Sequence, residues 1–159
     1  DSKIVDKYLS DLEKLQAKEY KEGNIRLKPG TREIIDYLRN NSIPYALATG
    51  SSYKYVELDF LQNGYDKIPF DHIVTGDQIT NSKPDPEIFI KAANLMNIDI
   101  NDCLVVEDSP KGIEAAYKSG AQSCFVPDLV KANKNILSKA TFHKNNLLEV
   151  IQLIDTLIQ

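Results

Sequence analysis

The sequence predicts an α/β protein: a Rossmann-like parallel sheet with helices on both faces. Three observations carry this. Short apolar runs recur at residues 45–49 (Tyr-Ala-Leu-Ala-Thr), 72–75 (His-Ile-Val-Thr), 103–107 (Cys-Leu-Val-Val-Glu) and 122–126. The run at 103–107 is continuous rather than alternating, as expected of a strand covered on both faces. Helical patterns separate the runs, and strands alternating with helices form right-handed βαβ units.

The elements follow in order from spacing and breakers. Val5, Tyr8, Leu9, Leu12 and Leu15 recur at helical spacing, which predicts a charged amphipathic helix over roughly residues 3–21, ended by Gly23-Asn24. A short extended stretch, Ile25 to Lys28, meets the turn Pro29-Gly30-Thr31, and a helix follows with Ile34, Ile35 and Leu38 as its buried stripe. Pro44 breaks the chain before the strand at 45–49. Further helices are predicted over 53–62, 86–97 and 110–119, the last ended by Gly120. A short helix at 132–138, a weak strand at 140–142 and a closing helix at 146–158 complete the pattern.

The chain has 159 residues, 42% of them hydrophobic and 26% charged, which suits one sizeable core. No run reaches the roughly 18–20 apolar residues of a membrane span, and no signal-peptide pattern opens the chain. With a net charge of −4 there is no basic field, so neither nucleic acid nor a membrane is an expected partner. Cys103 and Cys124 read as reduced core thiols of a cytoplasmic protein, with a single disulfide as the alternative. Residue 1 is Asp, and a cut or processed N-terminus is the expectation.

Ligands in open parallel sheets gather beyond the carboxyl ends of the strands. Three such places carry polar chemistry. Thr49-Gly50-Ser51-Ser52 combines a hydroxyl, a glycine open to close approach and helix N-terminal amides, an anion site in which the hydroxyls also suit helix capping. In Ser82-Lys83-Pro84-Asp85-Pro86, the two prolines fix the lysine, whose ammonium can pair with a phosphate. Glu107-Asp108 ends the buried strand at 103–107, where adjacent acids need water, hydrogen bonds or a cation. Mg²⁺ is suited by one or two carboxylates plus waters and substrate phosphate, with Asp108 as the inner ligand and Glu107 as its support. Capping of the following helix is the alternative role for Asp108.

In this order, the segments LATGSS, SKPDPEIF and VVEDSPKGIEAA resemble the second, third and fourth motifs of the haloacid dehalogenase (HAD) superfamily. The likeness runs from about Leu27 to the end and is nearest the helical-capped branch of β-phosphoglucomutase and phosphoglycolate phosphatase. The resemblance implies that Thr49, the Gly50 amide and Ser51 hold a transferring phosphoryl group. It further implies that Lys83 pairs with that group and with the nucleophile, and that Asp108 binds Mg²⁺ with Glu107 beside it. A receiver domain uses similar residue types, but there the acid pair comes first and the lysine last.

The superfamily's first motif, DxDxT/S after a buried strand, supplies the nucleophile and the acid/base, and no segment fits it. Asp1-Ser2-Lys3 has Lys at its third position, while Asp6, Asp11 and Asp36 lie in helical patterns. The expectation is therefore a HAD core at 25–159 without its first central strand, preceded at 1–24 by a remnant of the helical cap and linker. The implied function is a Mg²⁺-dependent phosphohydrolase of a small phosphomonoester, acting through an aspartyl-phosphate on an Asp outside this chain. On that reading this chain alone is inactive, and its partners are a phosphorylated metabolite and its own N-terminal segment. A sugar phosphomutase and a non-catalytic phosphate- or protein-binding fragment are the alternatives.

Overall fold

The computed structural model describes residues 25–158, together with Ile4, Lys7, Tyr8, Ser10, Asp11, Lys14, Leu15, Lys18 and Gly23. Those preceding Gly23 are helical. The rest of the helix expected over 3–21, with Val5, Leu9 and Leu12 of its stripe, lies outside the described residues, as do Asp1-Ser2-Lys3 and Asp6. The elements are α1 (Thr31–Asn40), β1 (Ala46–Ala48), α2 (Tyr53–Gln62), β2 (His72–Val74), α3 (Glu87–Met96), β3 (Leu104–Glu107), α4 (Pro110–Ser119), β4 (Gln122–Phe125), α5 (Lys134–Leu137), β5 (Phe142–His143) and α6 (Leu147–Leu157). Among the described residues no helix is long and apolar enough to cross a membrane.

The chain divides into two compact units, Asp1–Leu27 with Lys54–Ile68, and Lys28–Tyr53 with Pro69–Gln159. In the first, Asn63 ties the extended stretch to the end of α2. Its amide nitrogen donates to the carbonyls of Ile25 and Asp59, and its side-chain oxygen accepts the Leu27 N–H at 3.1 Å. The Phe60 and Tyr65 rings meet edge-on at 5.3 Å, a favoured aromatic geometry.

The second unit is built on two parallel ladders, β1–β2 and β3–β4–β5. One core joins Val74, Ile88, Phe89, Ala92, Val105, Ala115 and Ala116, so α3 and α4 cover one face. A second core sets Cys124, Val126, Val150, Leu153 and Ile154 against Ile34, Tyr37 and Leu38, placing α1 and α6 on the other. Alternation along β4 explains the split, because Phe125 points instead to Ile113 and Ile136. The Tyr37 hydroxyl donates to Asp155 at 2.5 Å and fastens α1 to α6.

One expectation is met only in part. Of the run at 103–107, Val105 is buried but Val106 is 37% exposed. Among the described residues β1 pairs only with β2, and β3 only with β4, so each keeps one unpaired side. Both cysteines are free. Burial pushes the Cys124 thiol up to about 11, which makes it an unreactive core residue.

Candidate active site

All three predicted places fall at carboxyl ends of strands in the second unit. Beyond β1, the Thr49 N–H continues the ladder to the Val74 carbonyl at 2.9 Å, and the Thr49 hydroxyl accepts the Ser51 N–H at 3.2 Å. The loop is bound to the turn after β2, where Gly76 N–H donates to the Ser51 carbonyl at 2.9 Å. A Cβ at Gly76 would overlap the Gly50 carbonyl, so the approach requires glycine there. At Gly50 itself a Cβ would meet open space, which leaves that backbone accessible to a ligand. The N–H of Tyr53 is accepted by the Asp77 carboxylate at 3.3 Å, so one of the amides expected for an anion is already occupied.

Lys83 precedes a cis peptide bond to Pro84, and Pro86 caps α3 at its N-terminus. The loop before it is held by Glu87, whose carboxylate accepts the Thr80 and Asn81 N–H groups at 2.8 Å each. Those bonds, Thr80 first, hold the Glu87 carboxyl below its ordinary value of 4.5. A lowered folded-state value means that this contribution to stability is present above pH 4.5 and is lost as pH falls through the folded value. In Glu87→Gln the acid limb of a plot of urea midpoint against pH is therefore expected to be shallower than in the wild type. An unchanged limb would show that these bonds do not set the loop.

The lysine ammonium lies 4.9 Å from the centre of the Phe89 ring and donates to Glu107 Oε1. The side chains of Lys83 and Glu107 are only 18% and 9% exposed. Glu107 Oε2 accepts three further bonds, from the N–H groups of Asp108 and Ser109 at 3.1 and 3.2 Å and from the Ser109 hydroxyl at 3.0 Å. Ser109 is at the same time the N-cap of α4, accepting the Gly112 N–H at 3.0 Å. A Cβ at Gly112 would overlap the Glu107 carboxylate, so the glycine makes the seat in which the acid rests.

Asp108 diverges from Glu107, as alternation at a strand end requires. Its Oδ2 accepts from the Lys28 ammonium at 3.2 Å, and the same ammonium lies 3.4 Å from Asp128 Oδ2. The structure thus couples Lys83 with Glu107, and Asp108 with Lys28 and Asp128. The sequence reading missed Lys28, Gly76, Gly112 and Asp128 as site residues. Gly112, five residues after a strand-end acid and inside a helix, was the one readable signal.

Among the described residues no three His, Cys, Asp or Glu side chains converge on one point. Asp108 Oδ2 is the carboxylate oxygen that could hold a hard cation, because Glu107 is already taken up by its own partners and, among the described residues, Asp108 Oδ2 faces only the Lys28 ammonium. Mg²⁺ commonly takes one or two carboxylates and completes its shell with water and substrate.

Parallel ladders covered by helices, with a hydroxyl loop, a half-buried lysine and an acid pair beyond the strands, place the chain in the Rossmann-like class of α/β proteins. Residues 2–126 match the haloacid dehalogenase-like hydrolase family, and the chain belongs to it. It is 39% identical over 110 residues to a Drosophila melanogaster protein named probable pseudouridine-5'-phosphatase, covering 66% of this chain and 48% of that one. It is 34% identical over 126 residues to the bifunctional riboflavin kinase/FMN phosphatase of Arabidopsis thaliana, covering 79% of this chain and 33% of the other. Among solved structures, CbbY of Rhodobacter sphaeroides in complex with phosphate superposes with a TM-score of 0.78 at 26% identity, covering 92% of this chain and 65% of that one. The β-phosphoglucomutase of Clostridium difficile gives 0.66 at 25% identity, covering 84% and 59%. The chain spans about half or less of the length of these two curated relatives.

Proposed function

We propose that the complete protein containing this chain is a Mg²⁺-dependent phosphohydrolase of a small phosphomonoester, with residues 25–159 as its core domain and 1–24 as part of its cap and linker. The observation that carries the reading is the pairing at the end of β3. Glu107 is held by Lys83 and by three further donors, while Asp108 pairs instead with the Lys28 ammonium, which supports Asp108 as the acid that would face a metal cation. Phosphatase names among the relatives support the reaction class. The expected substrates are small phosphorylated metabolites of the kind those names print.

In this reading Thr49, the open Gly50 backbone and Ser51 receive the phosphoryl oxygens, and Lys83 offsets their charge with N–H donors not used by Glu107. Asp108, supported by Glu107, holds Mg²⁺, which supplies charge stabilisation at the transferring phosphoryl group. An aspartate carboxylate attacks phosphorus, the ester P–O bond breaks, and the leaving alkoxide takes a proton from the first motif's acid/base. Water then gives a proton back to that group as it cleaves the acyl phosphate, releasing inorganic phosphate and restoring the carboxylate. That aspartate is assigned to a segment outside this chain, on a strand that would pair with the unpaired sides of β1 and β3. The 159-residue chain alone is accordingly expected to be inactive.

The test is release of inorganic phosphate from a panel of phosphomonoesters by the complete protein. The expected result is turnover that needs Mg²⁺ and falls about a hundredfold or more in Asp108→Asn, the scale of losing one charge-stabilising group. Metal-independent turnover, or an Asp108→Asn variant as active as wild type, would overturn the reading. The likeness to β-phosphoglucomutase favours one second reading, a sugar phosphomutase, whose product would be an isomeric sugar phosphate rather than free phosphate.

A further inference from the structure

Lys28 is unexpected at this place. Its side chain is 26% exposed, and its ammonium bridges Asp108, 80 residues away, and Asp128. The backbone presents it firmly. The Pro29-Gly30 turn returns the chain so that the Thr31 N–H and hydroxyl both donate to the Lys28 carbonyl, at 3.1 and 2.6 Å. Lys28 thus begins beside the acids, with its root fixed at the N-terminus of α1. Asp108 is the acid assigned above to the metal, so a cation reaching its Oδ2 meets an ammonium already there.

We propose that Lys28 is a resident counter-ion of the metal site, displaced from Asp108 when a divalent cation binds and retained by Asp128. The inference rests on the metal reading of Asp108. Without a metal, the ammonium neutralises the acids and keeps the strand end ordered. With one, it steps aside to a carboxylate that is 53% exposed and therefore costs little to pair. Lys28 then weakens metal affinity and raises the metal concentration at which the site fills.

The experiment is a Mn²⁺ titration of the 159-residue chain, followed by water-proton relaxation or electron paramagnetic resonance, with no substrate and no turnover. Lys28→Met is expected to bind Mn²⁺ about fivefold more tightly, the scale of removing one partly exposed neighbouring charge. Lys28→Arg, which keeps the charge, is expected to stay at or below wild-type affinity. Lys118→Met removes a lysine paired instead with Glu114, 3.0 Å away, and is expected to change nothing. Lys28→Gln serves in place of the methionine variant should that one not fold. Equal affinity of wild type and Lys28→Met would overturn the counter-ion role and leave the metal reading standing. A gain as large in Lys118→Met would reduce the effect to overall charge and overturn it too. Absence of Mn²⁺ binding by both wild type and Lys28→Met would overturn both readings.

Discussion

Replacing Lys83 by Met is expected to cost the fold about 2–3 kcal/mol and to lower phosphoryl-transfer turnover a hundredfold or more. The two losses have one origin. Glu107 is nearly buried, and its charge is tolerated because Lys83 and three hydrogen-bond donors surround it. Removing the ammonium leaves a buried carboxylate partly uncompensated, and breaking such a pair from one side is far costlier than removing both charges. The remaining donors and the partial exposure of Lys83 keep the cost below the roughly 3–5 kcal/mol of a fully buried pair. Glu107→Gln in the Lys83→Met background should therefore recover part of the stability and none of the turnover. Urea unfolding of the two variants measures the first, and phosphate release the second. A Lys83→Met chain as stable as wild type would show that the pair is not what seats Glu107.

The second large effect is expected at Gly112. A helix interior ordinarily prefers Ala over Gly by about 1 kcal/mol. Here the added methyl group would overlap the Glu107 carboxylate, and relief requires one of two movements. Either Glu107 leaves Lys83, or α4 shifts against a core in which Ile113, Ala115 and Ala116 are fully buried. Gly112→Ala is accordingly expected to destabilise by about 2–4 kcal/mol, as overpacking of a tight interior does. In the Glu107→Ala background the obstacle is gone, and the same substitution should become neutral or mildly stabilising. A double-mutant cycle by urea unfolding reads this coupling. Additive effects would mean that Gly112 is kept for some other reason.

Local chemistry made much of this fold readable. The bounds of α2 at 53–62 and α4 at 110–119 agree with expectation. For α4 the cause is visible, since Ser109 caps it and Gly120 ends it with φ of +89°. The last strand is displaced, at 142–143 rather than 140–142, because the Thr141 hydroxyl accepts the Ser123 N–H and strand pairing starts only at Phe142. The strand-end positions of Thr49, Lys83, Glu107 and Asp108 were likewise legible from apolar runs and prolines. What those side chains touch was not. Lys28 reaches Asp108 across 80 positions, and Gly76 meets Gly50 only because β2 lies beside β1. Such contacts depend on tertiary register, which local spacing does not encode. Val106 shows the same limit, for an apolar run promised a covered strand while cover depends on what pairs beside β3.

The most direct test of the central claim, that the strand ends form one metal-and-phosphate site, is the ³¹P resonance of inorganic phosphate in the presence of the protein and substoichiometric Mn²⁺. Phosphate held by Thr49, Gly50 and Lys83 would lie within a few ångströms of a cation on Asp108, so its resonance should broaden strongly. The broadening should be lost in Lys83→Met and in Asp108→Asn. Broadening that persists unchanged in Asp108→Asn, or bound phosphate left sharp by bound Mn²⁺, would contradict a shared site.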